Sequence, residues 1–475
     1  MTTRKSTAGR SDAAARPLAV IVLAAGLGTR MKSDLPKVLH HMCGRPLLAY
    51  ILDAARTLTP ERLVVVIGPD QGAVAAILPD GCQPAVQAER RGSGDALRAG
   101  LEPLGDFEGD VMVLNGDHPL VNGEVLAGLL VHHRDCTARA TITTVVHPDP
   151  GHYGRVVRAR DGDLAGIVEA RDASPDELGI GEINLGFYVF DAAELRRFVP
   201  TLRADNAQSE LYITDLVHRF IEAGDRAAAF LTADVAASMG VNSRVELAEV
   251  DAIMRARLVR QLMLDGVTIE DPATTYVDWG VTVGRDSLIR PQTMLTGATR
   301  VGERCTIGPG CFLRDVTVDD EATVVTSHLL ECAVGKGCSV GPFAYVRPRT
   351  ELAEGAKAGT FVEIKASRIG RGSKVPHLSY VGDATVGDDS NIGAGNITAN
   401  YDGERKHPTV IGDNVKTGSD TVFVAPVTVG DDAWTAAGSV ITRDIPDGAL
   451  GVARSRQANV EDYAERRRLR KRRDG

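Results

Sequence analysis

Aromatic residues are scarce in this chain, only 4% of its 475 residues, so its cores must be built from aliphatic side chains. A basic excess is also missing. The formal net charge is −9, which argues against a nucleic-acid binder, whose domains carry a basic face. No apolar run is long enough to cross a bilayer, so no membrane partner is expected. Residues 17–25 are apolar and follow a basic, Ala-rich start. They lead, however, into Gly26-Leu27-Gly28-Thr29-Arg30 and not into a small-residue cleavage site, so the stretch does not read as a secretion signal. The seven cysteines (Cys43, Cys82, Cys136, Cys305, Cys311, Cys332, Cys338) include no CxxC pair. Cys305/Cys311 and Cys332/Cys338 follow a six-residue spacing that suits no metal, which points to buried thiols in a reducing, cytoplasmic compartment.

Glycine, by contrast, is abundant: 50 residues, concentrated after about residue 280, the mark of a turn-dense β region. Two to four domains are allowed at ~150 residues each. Residues 1–16 are polar and poor in aliphatics, and are expected to be a disordered extension. Residues 18–23, 63–67 and 111–114 are short continuous apolar runs, the pattern of buried parallel strands, and residues 46–58 have helical spacing. Strand–helix alternation predicts a parallel sheet covered by helices, with its site at the carboxyl ends of the strands. Two informative loops fall there: LAAGLGTRMKSDLPK after the first strand and NGDHPL after the third. In the first, Gly26 and Gly28 let backbone N–H groups approach phosphate, and Arg30 and Lys37 add positive charge. The third glycine of a dinucleotide fingerprint is absent, since residue 31 is Met. In the second, Asp117 is either a Mg²⁺ ligand or a strand-end carboxylate that caps a turn.

Ser243-Arg-Val-Glu246 has the capping-box pattern, and Leu247, Val250, Met254, Leu258 and Leu262 share one helical stripe that ends near Gly266. Residues 243–265 are therefore expected as a linker helix. Beyond it the period changes. Val283, Ile289, Leu295, Val301, Ile307 and Leu313 are six apart. The register slips around 314–333, then resumes at Val334, Val340, Val346, Leu352, Ala358 and Ile364, and again at Val386 and Ile392. Neither 3.6 nor 2 gives this period. It describes a parallel β-helix of three flat faces, eighteen residues per coil, with small residues at the corners and residues 401–408 thrown out as a loop. On that geometry Lys365 stacks on Arg347, two cations that either part into water or hold an anion. His377 lies over Gly395 with Ala394 beside it, either as a satisfied histidine or facing a ligand. Ser419 and Ala437 are one coil apart. The tail, residues 461–475, contains RRRLRKRR and reads as a solvated basic end.

LAAGxGTRM followed by Pro36-Lys37 resembles the nucleotide-sugar pyrophosphorylases. Over residues 18–456 the chain is similar to the bifunctional bacterial uridylyltransferase/acetyltransferase family that makes UDP-N-acetylglucosamine. The similarity rests on QAExxGSG at 87–94, GDxPL at 116–120, HYGR at 152–155, GVN at 240–242, RPR at 347–349, FVEIK at 361–365, HLSYVGDA at 377–384, NIGAG at 391–395, NYDG at 400–403 and GSD at 418–420. The resemblance implies a Rossmann-like α/β nucleotidyltransferase domain over 17–242 and a left-handed β-helix acetyltransferase domain over 266–460, assembled as a homotrimer with acetyltransferase sites shared between neighbours. Leu23, Ala24, Ala25, Gly26, Lys37, Gln87, Gly92, Ser93, Asn115, Gly116, Asp117, Gly154, Glu169, Asn184 and Asn242 would hold UTP and UDP-N-acetylglucosamine. Arg30 and Lys37 would be catalytic, and Asp117 and Asn242 would bind Mg²⁺. Arg347, Lys365, Tyr380, Asn391, Asn400, Tyr401 and Lys406 would hold the sugar phosphate. His377 would be the general base, oriented by Glu363, and Ala394, Ser419, Ala437 and Arg454 would contact acetyl-coenzyme A. Thr360 and Ala366 depart from the family's Asn and Lys without removing a named catalytic group. The rival readings are a pyrophosphorylase whose β-helix only oligomerises it, and a non-catalytic β-helix scaffold, which leaves the nucleotide loop unexplained.

Overall fold

A computed structural model describes residues 16–206 and 208–473. Residues 1–15 of the expected extension and 474–475 of the expected tail lie outside the described residues. The chain divides into two compact units, one ending at Met254 and the other beginning at Arg255.

The first unit is a mixed sheet covered on both faces. Its strands are β1 (Leu18–Leu23), β2 (Arg62–Ile67), β3 (Cys82–Val86), β4 (Asp110–Asn115), β5 (Ala140–Val146), β6 (Glu182–Asp191) and β7 (Ala227–Leu231). Their spatial order is β7-β5-β6-β4-β1-β2-β3, with a hairpin of Arg155–Arg158 and Leu164–Val168 attached to β6. Side chains alternate across a strand, so β1 feeds two cores. Leu18, Val20 and Val22 pack with helices α1 (Leu47–Arg56) and α3 (Gly123–Asp135). Ala19 and Ile21 pack with α2 (Ser93–Leu101) and α4 (Thr214–Glu222). The sheet is not parallel throughout, as the alternation had implied: β6 runs antiparallel to both β4 and β5. A strand buried on both faces is apolar whichever way it runs, so composition carries no direction.

At the edge opposite the glycine loop, Asp110 on β4 pairs with Asp191 on β6. Both carboxylates are buried and would repel. Arg16 bridges them, Arg134 Nε donates to Asp110 Oδ2 (2.7 Å), and Arg139 Nη1 donates to Asp191 Oδ2 (2.6 Å). His133 is sealed beside this cluster, Nδ1 2.8 Å from Thr141 Oγ1, and burial pushes its pKa down to about 4.

Helix α5 (Arg244–Leu264) follows. Ser243 Oγ accepts the Glu246 N–H, but the Glu246 carboxylate accepts from Asn242 N (2.7 Å) and not from Ser243, so half of the expected box forms and the other half ties down Asn242. Gly266 ends the helix at φ 96°. Its N–H reaches Met263 O, and Val267 N–H reaches Leu262 O, a Schellman cap that needs a residue tolerant of positive φ.

The second unit is a parallel β-helix of three sheets with 7, 10 and 9 strands. Most strands have two or three residues and send one side chain inward. Val346, Ile364 and Val381 stack in one such column. Cys305, Cys311, Cys332 and Cys338 belong to the same core, and burial raises the Cys332 thiol to about 12 and Cys338 to about 11, so these thiols pack and do not react. The coil is not uniformly eighteen residues. Val346 pairs with Ile364, eighteen on, but Ile364 pairs with Val381, seventeen on, and Val318 with Val334, sixteen on. Corners absorb the difference. They hold residues with positive φ that are often charged, such as Asp315, Arg349 and Asp383, and not only small ones. Val386 pairs with Ile411 because the 401–408 loop lies between them. Helix α6 (Tyr463–Arg473) is exposed along its length. Among the described residues no helix is long and apolar enough to cross a membrane.

The buried His133 makes a pH prediction. Its imidazole is neutral in the fold and titrates near its ordinary 6.5 when unfolded, so the unfolded chain takes up the proton first. Stability from this group is present above that value and is lost as pH falls toward about 4, by at most ~3 kcal/mol. His133→Asn should flatten the profile. Urea melts between pH 7 and 4.5 that fall in parallel for both proteins would refute this.

Candidate active sites

In the first unit the carboxyl ends of β1 and β4 and the segment 87–93 surround a cleft of about 360 Å³. Leu23, Ala25, Gly26, Gln87, Gly92, Ser93 and Asn115 line it, together with Leu27, Arg90 and Glu210. Gln87 Nε2 donates to Gly92 O (3.2 Å) and Asp95 Oδ2 (3.1 Å), and Ser93 Oγ accepts the Ile213 N–H, which fix the far wall. Gly116 N–H donates to Leu23 O, joining the ends of β1 and β4. A second hollow of about 200 Å³ adjoins, lined by Leu23, Ala24, Gly26, Lys37, Asn115, Asp117 and His118.

Here Lys37 Nζ contacts Asp117 Oδ2 and also donates to Asn242 Oδ1 (3.0 Å). His118 Nδ1 lies 3.0 Å from Asp117 Oδ1. Burial alone would raise the Asp117 pKa, but the Lys37 charge and the His118 contact overcome it and hold the carboxyl well below the usual range. Two hard oxygens from Asp117 and Asn242 thus already share one cation, the Lys37 ammonium, which fits a site for a small divalent ion with few protein ligands. Among the described residues no cluster of three or more His, Cys, Asp or Glu offers an alternative. Gly28 is what lets Lys37 reach in: at φ 63° a Cβ would lie 2.6 Å from Lys37 Cβ. Gly26 is different, since a Cβ there would meet open space.

Gly154, Glu169 and Asn184 come together on the hairpin and β6. Asn184 N–H donates to Gly154 O, Asn184 Nδ2 to Tyr188 Oη, and Thr214 Oγ1 to Glu169 Oε1. Burial raises the Glu169 pKa. Arg30, in the turn Thr29–Met31, is exposed and has no partner among the described residues.

In the second unit the expected residues fall into two groups on adjacent faces. On one face Arg347 stacks over Lys365, as eighteen-residue spacing requires. Arg347 Nη1 donates to Glu363 Oε1 (2.8 Å). The Lys365 ammonium is buried, makes no hydrogen bond, and lies 3.5 Å from Asp383 Oδ2. Asn400 Nδ2 donates to Asp383 Oδ2 (2.5 Å) and reaches Tyr380 Oη (3.4 Å). Lys406 presses against Lys365, which holds its pKa below the ordinary lysine value. The loop that presents Lys406, and Tyr401 beside it, is tied by Asp402, whose carboxylate accepts from Glu404 N (2.8 Å) and Arg405 N (2.6 Å) and meets His407 Nε2 (2.6 Å). Three cations face two carboxylates, leaving net positive charge at a polar, partly buried spot.

On the neighbouring face Lys374 pairs with Asn391, so His377 sits over Ala394, one residue from the expected Gly395. Gly395 N–H donates to His377 O (3.3 Å). The column continues through Ser419 and Ala437, linked by Asp420 N–H to Ala394 O and Gly438 N–H to Ser419 O, and Arg454 Nη1 donates to Ala437 O. The Ala394 N–H has no acceptor among the described residues. Glu363 does not orient His377 within this chain. It belongs to the other face and binds Arg347. Reading the sequence missed Arg90, His118 and Asp383. All three lie inside motifs already noted (QAERRGSG, GDHPL, HLSYVGDA), where charge next to a functional position was the available signal.

Fold and sites define a two-headed transferase, a nucleotidyltransferase sheet followed by a hexapeptide-repeat acyltransferase. Residues 20–174 match the MobA-like NTP transferase domain, and residues 408–443 match the hexapeptide repeat of succinyl-transferase. The coil is accordingly a left-handed parallel β-helix. The chain is 49% identical to the bifunctional protein GlmU of Streptomyces avermitilis over 460 residues, covering 96% of this chain and 95% of that protein. It is 49% identical to GlmU of Mycobacterium sp. strain KMS over 458 residues (95% and 92%) and 47% identical to that of Corynebacterium glutamicum over 457 residues (95% and 94%). The chain belongs to the GlmU family. It is a bifunctional enzyme of UDP-N-acetylglucosamine synthesis, an acetyltransferase and a uridylyltransferase that supply peptidoglycan precursors.

Gly28→Ala should push Lys37 off Asp117 and Asn242 and lower uridylyl transfer about tenfold or more while leaving acetyl transfer unchanged. Equal pyrophosphate release from wild type and variant would contradict the role given to Gly28.

Proposed function

We propose that the β-helix acts first. Glucosamine 1-phosphate binds with its phosphate against Arg347, Lys365 and Lys406 and its hydroxyls toward Tyr380, Asn400 and Tyr401, with Asn391 reaching in from the His377 face. The observation that carries this is the buried Lys365 ammonium, which makes no hydrogen bond and lies beside two further cations. An anion relieves that repulsion. His377 accepts the proton of the attacking amine, and the free Ala394 N–H beneath it faces the oxyanion of the tetrahedral intermediate. Acetyl-coenzyme A lies along the Ala394–Ser419–Ala437 column, with Arg454 at its end.

Because His377 and the cationic group occupy adjacent faces of one chain, a complete site drawn from neighbouring copies fits a homotrimer. Phe343, Phe361 and Leu378, exposed and aligned along one corner with the two rings 5.3 Å apart, give that assembly an apolar seam. Buried reduced thiols suit a cytoplasmic location.

N-acetylglucosamine 1-phosphate then enters the front site. UTP lies with its base between Gln87, Gly92 and Ser93 and its phosphates on the loop Leu23–Gly26, while Gly154, Glu169 and Asn184 hold the acetylated sugar, and Asn115 and Gly116 floor the cleft. Asp117 and Asn242 would hold Mg²⁺, which supplies charge neutralisation on the triphosphate. Lys37, released from those two oxygens, moves its charge to the phosphates. Arg30, unpaired and exposed, is free to swing onto the departing pyrophosphate.

His377→Ala should cut thiol release from acetyl-coenzyme A by about 10²–10⁴-fold and spare uridylyl transfer. Asp117→Ala should do the reverse. Thiol release that survives in His377→Ala at the wild-type rate would favour a β-helix that only assembles the protein. Uridylyl transfer unchanged in Asp117→Ala would remove the metal assignment.

A further inference from the structure

Arg90 is absorbed by neither reaction, yet it stands in the wall of the nucleotide cleft. Its Nε donates to Ala25 O (2.8 Å), and its Nη2 contacts Asp70 Oδ1, holding the Asp70 carboxyl below its usual pKa. Gly68, at the end of β2, lacks a side chain where a Cβ would collide with this guanidinium. The next carbonyl of the loop is held as well. Gln71 is buried, its Oε1 accepts the Gly68 N–H (2.7 Å), and its Nε2 donates to Gly26 O (3.4 Å). A trans peptide is planar, so its C=O and N–H point in opposite directions. Anchoring Ala25 O therefore sets the direction of the Gly26 N–H, and anchoring Gly26 O sets that of Leu27. Neither N–H has an acceptor among the described residues.

We propose that Arg90, braced by Asp70 and assisted by Gln71, is a positioning residue that fixes the polarity of the glycine loop, so that the Gly26 and Leu27 N–H groups are aimed at nucleotide phosphate before it arrives. Glycine alone makes the loop permissive. A peptide free to flip would also present a carbonyl to the phosphate, and the brace removes that alternative. Arg suits the task better than Lys, because its planar fork serves Ala25 O and Asp70 together. The proposal rests on the front cleft being the UTP site.

Calorimetric titration of the full-length enzyme with UTP, and with uridine in competition, tests it. Arg90→Gln should weaken UTP about tenfold and leave uridine unchanged, with KM for UTP rising and kcat within about twofold. Asp70→Asn should weaken UTP in the same sense, and the double variant should be no worse than Arg90→Gln alone, since the two residues act as one unit. Arg90→Lys should not restore affinity. Acetyl transfer in the same preparations reports the fold and should stay at the wild-type rate. Unchanged UTP affinity in Arg90→Gln, equal weakening of UTP and uridine, additive effects in the double variant, or loss of acetyl transfer alongside would each overturn the proposal. A wild-type enzyme that binds no UTP would instead overturn the underlying reading of the cleft.

Discussion

Parallel strand pairing is the constraint on which both halves of this protein depend. When strands run side by side in one direction, their like ends line up, and residues far apart in the chain arrive at one edge or one column. In the front sheet this places Ala24 and Gly26, after β1, beside Asn115 at the end of β4 and Asp117 just beyond it. In the β-helix it places His377, Ala394, Ser419 and Ala437 in one vertical line, and Arg347 above Lys365.

The same constraint explains where charge is left unbalanced. At the lower edge of the front sheet, Asp110 and Asp191 are matched by three arginines, and the result is structural. At the upper edge, Lys37 satisfies two oxygens, those of Asp117 and Asn242, which under the proposed function would instead hold a divalent ion. In the β-helix, Lys365, Arg347 and Lys406 outnumber their carboxylates. A surplus of crowded like charge is destabilising, and it persists here at the spot where we propose that a phosphate binds. The 401–408 loop departs from the coil to deliver one of the three cations, and Asp402 gives it a shape.

Much of this was legible in the sequence. The strand at residues 18–23 agrees with the fold to the residue, because a short apolar run ending in a glycine loop has few alternatives. The sixfold rhythm located the β-helix, since one buried side chain per face per turn imposes it. Ser243 and Gly266 marked the ends of α5, although the capping box formed only in part. The direction of β6 was not legible, because burial on both faces erases the alternation that distinguishes strand environments. Coil lengths of sixteen or seventeen were hidden too, because the inward residue looks the same whether a corner has lost a residue or not.

The sequence by itself determined how the hydrophobic period divides the chain and which residues are candidates for chemistry, since both are local properties of side-chain type and spacing. Only the tertiary structure decided which of them meet. It moved His377 from Gly395 to Ala394 by one residue of register, set Glu363 on Arg347 and not on His377, and brought Lys406 onto Lys365 across a loop. It also brought Arg90 onto the carbonyl of Ala25, 65 residues away. Contacts of that kind depend on strand register and corner geometry, which are set by packing across the whole sheet and leave no mark on the local pattern.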